Sequence, residues 1–159
     1  VQTCALPICI TFEPTPFSSV DGGRLYFPRL MTRENAFINW SWGVRDIERF
    51  CCAFDDPYPG AGTFLNGEEI RLSNVRVEEE KFSAHPYVAG LIVRRVSNRI
   101  LVGCRDGLLS VGKIRTQDGR EMVELAREGW RLFTPGESLE RGLTYRPMLA
   151  VTGSPNEGI

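Results

Sequence analysis

The sequence predicts a mainly β fold: a small barrel of five to six short strands, preceded by an extended linker and one short amphipathic helix. Three observations predict it. After Gly60 the apolar residues come in short runs of strand length, closely spaced along the chain. Between those runs stand tight-turn pairs, Asn66-Gly67 first among them. Before Pro57 a single stretch carries helical period instead.

The elements follow in order. Ile10–Arg33 is rich in proline, glycine and serine, including Pro14, Pro16, Gly22, Gly23 and Pro28, a composition suited to an extended linker. Within it Leu25-Tyr26-Phe27 is a short apolar triplet placed to dock on a neighbouring surface. Ser41 is the candidate N-cap of the helix. Asp46 and Glu48 favour the positive end of its dipole. Ile47, Phe50, Cys51 and Phe54 fall at i, i+3, i+4 and i+7, so Val44–Phe54 should be an amphipathic helix. Asp55-Asp56-Pro57-Tyr58-Pro59-Gly60 stops it, because proline cannot continue a helix and disfavours helical geometry before it.

Gly62–Leu65 and Glu69–Val77 then read as a hairpin across Asn66-Gly67, with alternation slipping near Ser73-Asn74 as at a bulge. Val88–Val96 and Arg99–Cys104 pair across Ser97-Asn98, and Asp106-Gly107 turns the chain into Leu108–Ile114. Gln117-Asp118-Gly119 is another turn. Glu121–Ala126 fits helix or strand equally, and Trp130–Phe133 is a last short strand. Such spacing implies a small closed or nearly closed barrel, OB-like in kind. The expected division is a linker over residues 9–37, the barrel domain over 38–139 and a frayed tail over 140–159.

Residues 1–8, VQTCALPI, stand apart. The codons GTT CAG ACG TGT GCT CTT CCG ATC encode them and resemble a common sequencing-library adapter, whose next base suits Cys9. They are expected to be an assembly artefact that truncates the native protein. The competing reading is a real strand or a signal-like segment, but no basic n-region precedes the short apolar stretch.

Bulk properties narrow the function. No apolar run is long enough to span a membrane. A net charge of −1 makes no global electrostatic case for nucleic acid. Lys81 and Lys113 are the only lysines, so positive charge is carried by arginine, which suits bidentate phosphate contacts but also follows from codon bias. The cysteines Cys4, Cys9, Cys51, Cys52 and Cys104 are odd in number and irregularly spaced, which fits reduced thiols in the cytoplasm better than a disulfide framework. With His85 the sole histidine and no C-x-x-C pair, no metal site is expected.

FCCAFDDPYPGAGTFL, Phe50–Leu65, closely resembles a stretch of formyltransferase C-terminal domains. In that family a helix ending in an Arg-Ala-Phe-like triplet enters a Pro-aromatic-Pro-Gly-Ala loop and then an aromatic strand. Ala53-Phe54, Pro57-Tyr58-Pro59-Gly60-Ala61 and Thr63-Phe64 match, with Cys52 in place of the basic residue. Tyr26-Phe27-Pro28-Arg29 followed by Ile38-Asn39-Trp40 resembles the family's interdomain linker. Ile100-Leu101-Val102 with Asp106-Gly107-Leu108-Leu109 resembles its late hairpin. The resemblance, to the methionyl-tRNA formyltransferase and 10-formyltetrahydrofolate-dependent N-formyltransferase family, covers roughly Tyr26–Leu139.

The resemblance implies a missing N-terminal Rossmann-like catalytic domain that binds 10-formyltetrahydrofolate and uses an asparagine–histidine–aspartate set. This chain has no Asn-x-His motif, since His85 lies in Ala84-His85-Pro86, where a turn or strand edge suits it. No catalytic residue is therefore assigned, no cofactor is expected in this chain, and the chain alone should be inactive. Its implied partners are its own catalytic domain and an acceptor, either a nucleotide-linked amino sugar or methionyl-tRNA. The neutral net charge tilts the expectation slightly to the sugar. The alternative is a freestanding OB-like module for oligonucleotides or oligosaccharides.

Candidate substrate-binding residues are Arg29, Trp40, Trp42 and Tyr58. Trp40 and Trp42 would point to one side of an extended stretch, either as a stacking platform or as a cover on the barrel end that locks the linker. Tyr58 between prolines can pack flat with its hydroxyl outward, a structural arrangement as readily as a ligand contact. Glu68–Glu80 holds five glutamates against Arg71 and Arg76, net −3, whereas Arg94–Arg115 carries net +5. Arg94, Arg99, Arg105 and Lys113 are therefore candidate phosphate contacts. Arg94 and Arg95 must face opposite ways on a strand, and a solvated face explains the same run. Asp55-Asp56 suits acid–base chemistry in principle and turn stabilisation at a helix end.

Overall fold

The computed structural model describes residues 29–80, 82 and 85–146. The adapter-like residues 1–8, Leu25-Tyr26-Phe27 and the tail beyond 146 lie outside them. Six strands form one curled antiparallel sheet: β1 Ala61–Leu65, β2 Glu68–Glu78, β3 Ile92–Val96, β4 Arg99–Gly103, β5 Leu108–Thr116 and β6 Leu132–Phe133. Their order is β3-β4-β5-β2-β1-β6. The two ends of the sheet meet. Ile92 N donates to Trp130 O at 2.8 Å, Gly129 N to Ile92 O at 2.9 Å, and Leu132 N to Gly90 O at 2.8 Å. These bonds satisfy backbone groups that an open sheet would leave bare along its edges.

Turn chemistry sets the hairpins. Asn66 and Gly67 both take positive φ, 52° and 85°, the twist that matches flanking strands. Between β3 and β4 it is Ser97 that takes positive φ, 51°.

The bulge expected at Ser73-Asn74 is not there. Ser73 pairs with Lys113 and Val75 with Val111, so the register passes through unshifted. Asn74 instead adopts φ 53° opposite Gly112. The buried face steps on both strands at once, from Ile70 and Leu72 to Val75 on β2, and from Ile114 to Val111 and Leu109 on β5. Both strands step at the same point with no extra residue on either, and alternation along one strand cannot be told from a bulge. A true register shift lies in β3, between Ile92 and Arg94.

Helix α1 spans Thr32–Asn35 and α2 spans Val44–Ala53. On α2, Val44, Ile47 and Cys51 are buried against the barrel, with Phe54 closing the same face. Ser41 does not cap it. The N-cap is Gly43, and Val44 N donates to Asp106 Oδ1 at 2.7 Å from the β4–β5 connection. Ser41 lies too early in the chain: its N and Oγ both donate to Asn39 Oδ1 inside a turn. Carboxylates tie α2 and the loop after it to β2. Val77 N donates to Glu48 Oε1 and Asn74 N to Asp55 Oδ2, each at 2.7 Å.

Glu121–Ala126 is neither helix nor strand. It makes one bridge, Arg115 with Glu121, and then a turn that plugs Met122, Val123 and Ala126 into the core. Helix α3, Gly136–Thr144, runs across the expected start of the tail at residue 140. It is held to α1 by Arg141–Glu34 at 3.2 Å and by Asn35 Nδ2 donating to Gly142 O at 2.6 Å. None of its residues is buried, and its apolar Leu139 and Leu143, four residues apart, border a shallow hollow beside Trp42 and Phe50.

Candidate functional site

The outward face of the sheet is where charge collects. Past the kink, β5 turns Lys113 and Arg115 to solvent, opposite Ser73 and Arg71 of β2. Arg71 is only 9% exposed. Its guanidinium is held by Glu69 at 2.6 Å, donates to Thr32 O at 3.3 Å and lies 5.1 Å over the Phe37 ring. Gly62 makes room for it: a Cβ there would stand 2.9 Å from Arg71 Nη1.

Arg71 lines a cleft of about 650 Å³ with Thr32, Arg33, Pro59, Arg115 and Gln117. Two of its cations are loosely engaged. Arg33 is 93% exposed and 3.8 Å from Glu34, and Arg115 stands 3.5 Å from Glu121. Thr32 also borders a second hollow of about 290 Å³ that contains Arg29 and Tyr58. Tyr58 and Pro59 are consecutive, so the two hollows adjoin.

Across β5 lies another cleft of about 650 Å³, lined by Asn74, Asn98, Arg99, Lys113, Glu121 and Glu124 among others. Arg99 is fixed in it. Nε donates to Ser110 Oγ at 2.7 Å, and Nη2 to Asn74 O at 2.8 Å and Ser110 O at 3.0 Å. Burial, and then the neighbouring Arg76, draw its pKa below the usual arginine value.

Arg29 and Tyr58 thus share one hollow, and Arg99 and Lys113 share another. The other candidates scatter. Arg94 pairs with Glu80, Arg95 donates to Glu124 O at 2.8 Å, and Arg105 is exposed next to Asp106. Trp40 and Trp42 part company because the stretch is a turn and not extended. Trp40 is buried, its Nε1 donating to Thr63 Oγ1 at 2.9 Å, while Trp42 stands half exposed, edge-on to Phe50. Asp55 is spent on Asn74 and Asp56 backbone N–H groups. His85 Nδ1 accepts from Tyr87 N at 3.2 Å, as a turn residue does.

Arg33, Arg71 and Arg115 are not marked as a set by the sequence. Arg115 belongs to the basic stretch, but Arg71 sits between glutamates and Arg33 at the linker's end, so no local signal joins them. What the face presents is fixed and loosely held cations with amide and hydroxyl donors, an arrangement that binds anions. Among the described residues no group of three or more His, Cys, Asp or Glu is placed to hold a metal ion. No helix among them is long and apolar enough to cross a membrane.

A family model described as formyl transferase, C-terminal domain, matches residues 30–126. The methionyl-tRNA formyltransferase of Roseiflexus castenholzii is 32% identical over 120 residues, which cover 75% of this chain and 37% of that protein. Its counterpart in Pseudoalteromonas translucida is 28% identical over 109 residues, 69% of this chain and 33% of that protein. The chain therefore spans about a third of the length of these relatives. Among solved structures, a variant of HypX from Aquifex aeolicus aligns with 67% of this chain and 17% of its own, at 23% identity and a TM-score of 0.45.

Proposed function

The chain belongs to the formyl transferase C-terminal domain family, and on that premise we propose that it is the acceptor-positioning part of a formyltransferase. The reaction moves a formyl group from 10-formyltetrahydrofolate to an amine. The cofactor's place is a catalytic domain beyond this chain. No residue here matches the family's asparagine–histidine–aspartate set, and His85 is engaged in a turn. No chemical step is assigned to these residues, and the 159-residue chain should not turn over on its own.

The observation that carries the proposal is the arginine cleft of Arg33, Arg71 and Arg115, built on the outward sheet face. Its task is electrostatic positioning: beside the fixed Arg71, the loosely engaged Arg33 and Arg115 are available to seat a phosphate-bearing acceptor without chemistry of their own. The acceptor favoured is methionyl-tRNA, the substrate in the names of the relatives above. The net charge of −1 favours a second reading, a nucleotide-linked amino sugar, which needs only a compact site. The proposal places the protein in the cytoplasm, with its catalytic domain and acceptor as partners.

Formylation of both acceptors by the full-length protein decides between them. Transfer to methionyl-tRNA and not to an amino-sugar nucleotide is expected; the opposite preference would establish the sugar, and transfer to neither would refute the proposal. Replacing Arg33 and Arg115 by glutamate should raise KM for methionyl-tRNA. It should also reduce the salt dependence of binding by about one unit of slope for each phosphate left unneutralised.

A further inference from the structure

We infer that Tyr58 and the arginine cleft together form a subsite for one nucleotide unit, base on the tyrosine and phosphate on the guanidinium groups. The inference rests on the acceptor-positioning reading and gives that site its chemical class. Tyr58 is 57% exposed, yet it is held firmly. Pro57 and Pro59 restrict φ on either side. Tyr58 N donates to Asp55 O and Gly60 N to Phe54 O, both at 2.9 Å. An aromatic ring left in water on a tight loop is an open stacking surface with little entropy left to lose on contact. It faces the hollow that holds Arg29, and Thr32 and Pro59 form the sill between that hollow and the arginine cleft.

A flat, uncharged group on one side of this sill and a phosphate on the other is the shape of a nucleoside phosphate. A bare polyanion would leave Tyr58 unused, and a neutral sugar would make no use of the loosely engaged Arg33 and Arg115, 3.8 and 3.5 Å from their carboxylates. Trp42 is the contrast. It too is a partly exposed aromatic, but its shallow surroundings hold a single guanidinium, Arg49, beside Asp46, where the cleft next to Tyr58 gathers three. Both acceptor classes bring a nucleotide, one as part of a polynucleotide and the other as a nucleotide-linked small molecule, so the subsite serves either.

Calorimetric binding to the full chain tests this with UDP, a short single-stranded RNA and inorganic pyrophosphate as probes. Tyr58→Ala should weaken UDP and RNA about tenfold, leave pyrophosphate unchanged and be rescued by Tyr58→Phe. Arg115→Glu should weaken all three, and Trp42→Ala none. Tighter binding of the RNA marks a polynucleotide as the source and tighter UDP a nucleotide-linked molecule; both support the subsite. It is overturned if neither nucleotide binds, if the Tyr58→Ala loss extends to pyrophosphate, or if Trp42→Ala costs as much. Nucleotide binding by this chain with no formylation by the full-length protein would refute the acceptor-positioning reading and leave the subsite standing. Formylation with nucleotide binding indifferent to Tyr58 would do the reverse.

Discussion

Gly90 occupies a point where no side chain fits. Its φ is +76°, and a Cβ there would stand 2.1 Å from Leu132 O, a backbone atom on the closing seam of the barrel. Gly119 has a similar φ of +85°, with nothing within 4 Å. The pair separates backbone strain from collision. Gly119→Ala should cost about 1 kcal/mol, and Gly90→Ala at least ~2 kcal/mol more because the seam must open. Urea unfolding of both variants measures the difference, and equal losses would refute the seam's role. Of these two glycines only Gly119 is legible in the sequence, as part of Gln117-Asp118-Gly119. The neighbour that restricts Gly90 lies far along the chain. Trp40 shows the same limit: its indole is readable as a linker lock, but its partner Thr63 is not, because a buried hydroxyl leaves no pattern in sequence.

At the scale of elements, α2 is the most legible piece. Its apolar face follows from spacing alone, and the observed Val44–Ala53 falls within the expected Val44–Phe54. Its cap is not legible, since Asp106 arrives from another part of the barrel. Asp106→Ala should cost about 0.5–2 kcal/mol, as loss of an N-cap does, while Asp106→Asn keeps the acceptor oxygen and most of the stability. Ser41→Ala should change stability by less than about 0.5 kcal/mol. Thermal melts of the three variants check the assignment, and a larger loss from Ser41→Ala would restore serine as the cap. The step near Ser73-Asn74 is visible as broken alternation, but its form as a kink shared with Gly112 needs the partner strand. Helices α1 and α3 support each other at the surface through Glu34–Arg141 and Asn35–Gly142, and the four residues of α1 are too few to display a helical period.

At the scale of the whole molecule, burial governs the thiols. Cys51 and Cys104 are both buried, and desolvation pushes the Cys104 pKa from 9.0 up to about 12 and raises Cys51 as well. Above pH 9 the unfolded chain releases thiol protons that the folded chain retains, so folding stability should fall as pH rises through the interval between about 9 and 12. Denaturant midpoints across that range, compared with a Cys51→Ala, Cys104→Ala variant, should show a shallower alkaline decline in the variant. Native alkylation should modify the exposed Cys52 well before either buried thiol.

The same burial logic divides what each level of description decides. Local chemistry along the chain was enough for the barrel's turns, the face of α2 and the family, because a turn, a period and an ordered motif involve residues close in sequence. The joining of Gly90 to Leu132, the cap from Asp106 and the meeting of Arg33, Arg71 and Arg115 belong to the folded molecule. Each brings together groups that are distant along the chain. A net charge of −1 averages the arginine face away; the register of β2 against β5 sets Arg71 opposite Arg115, and α1 brings Arg33 to the same cleft.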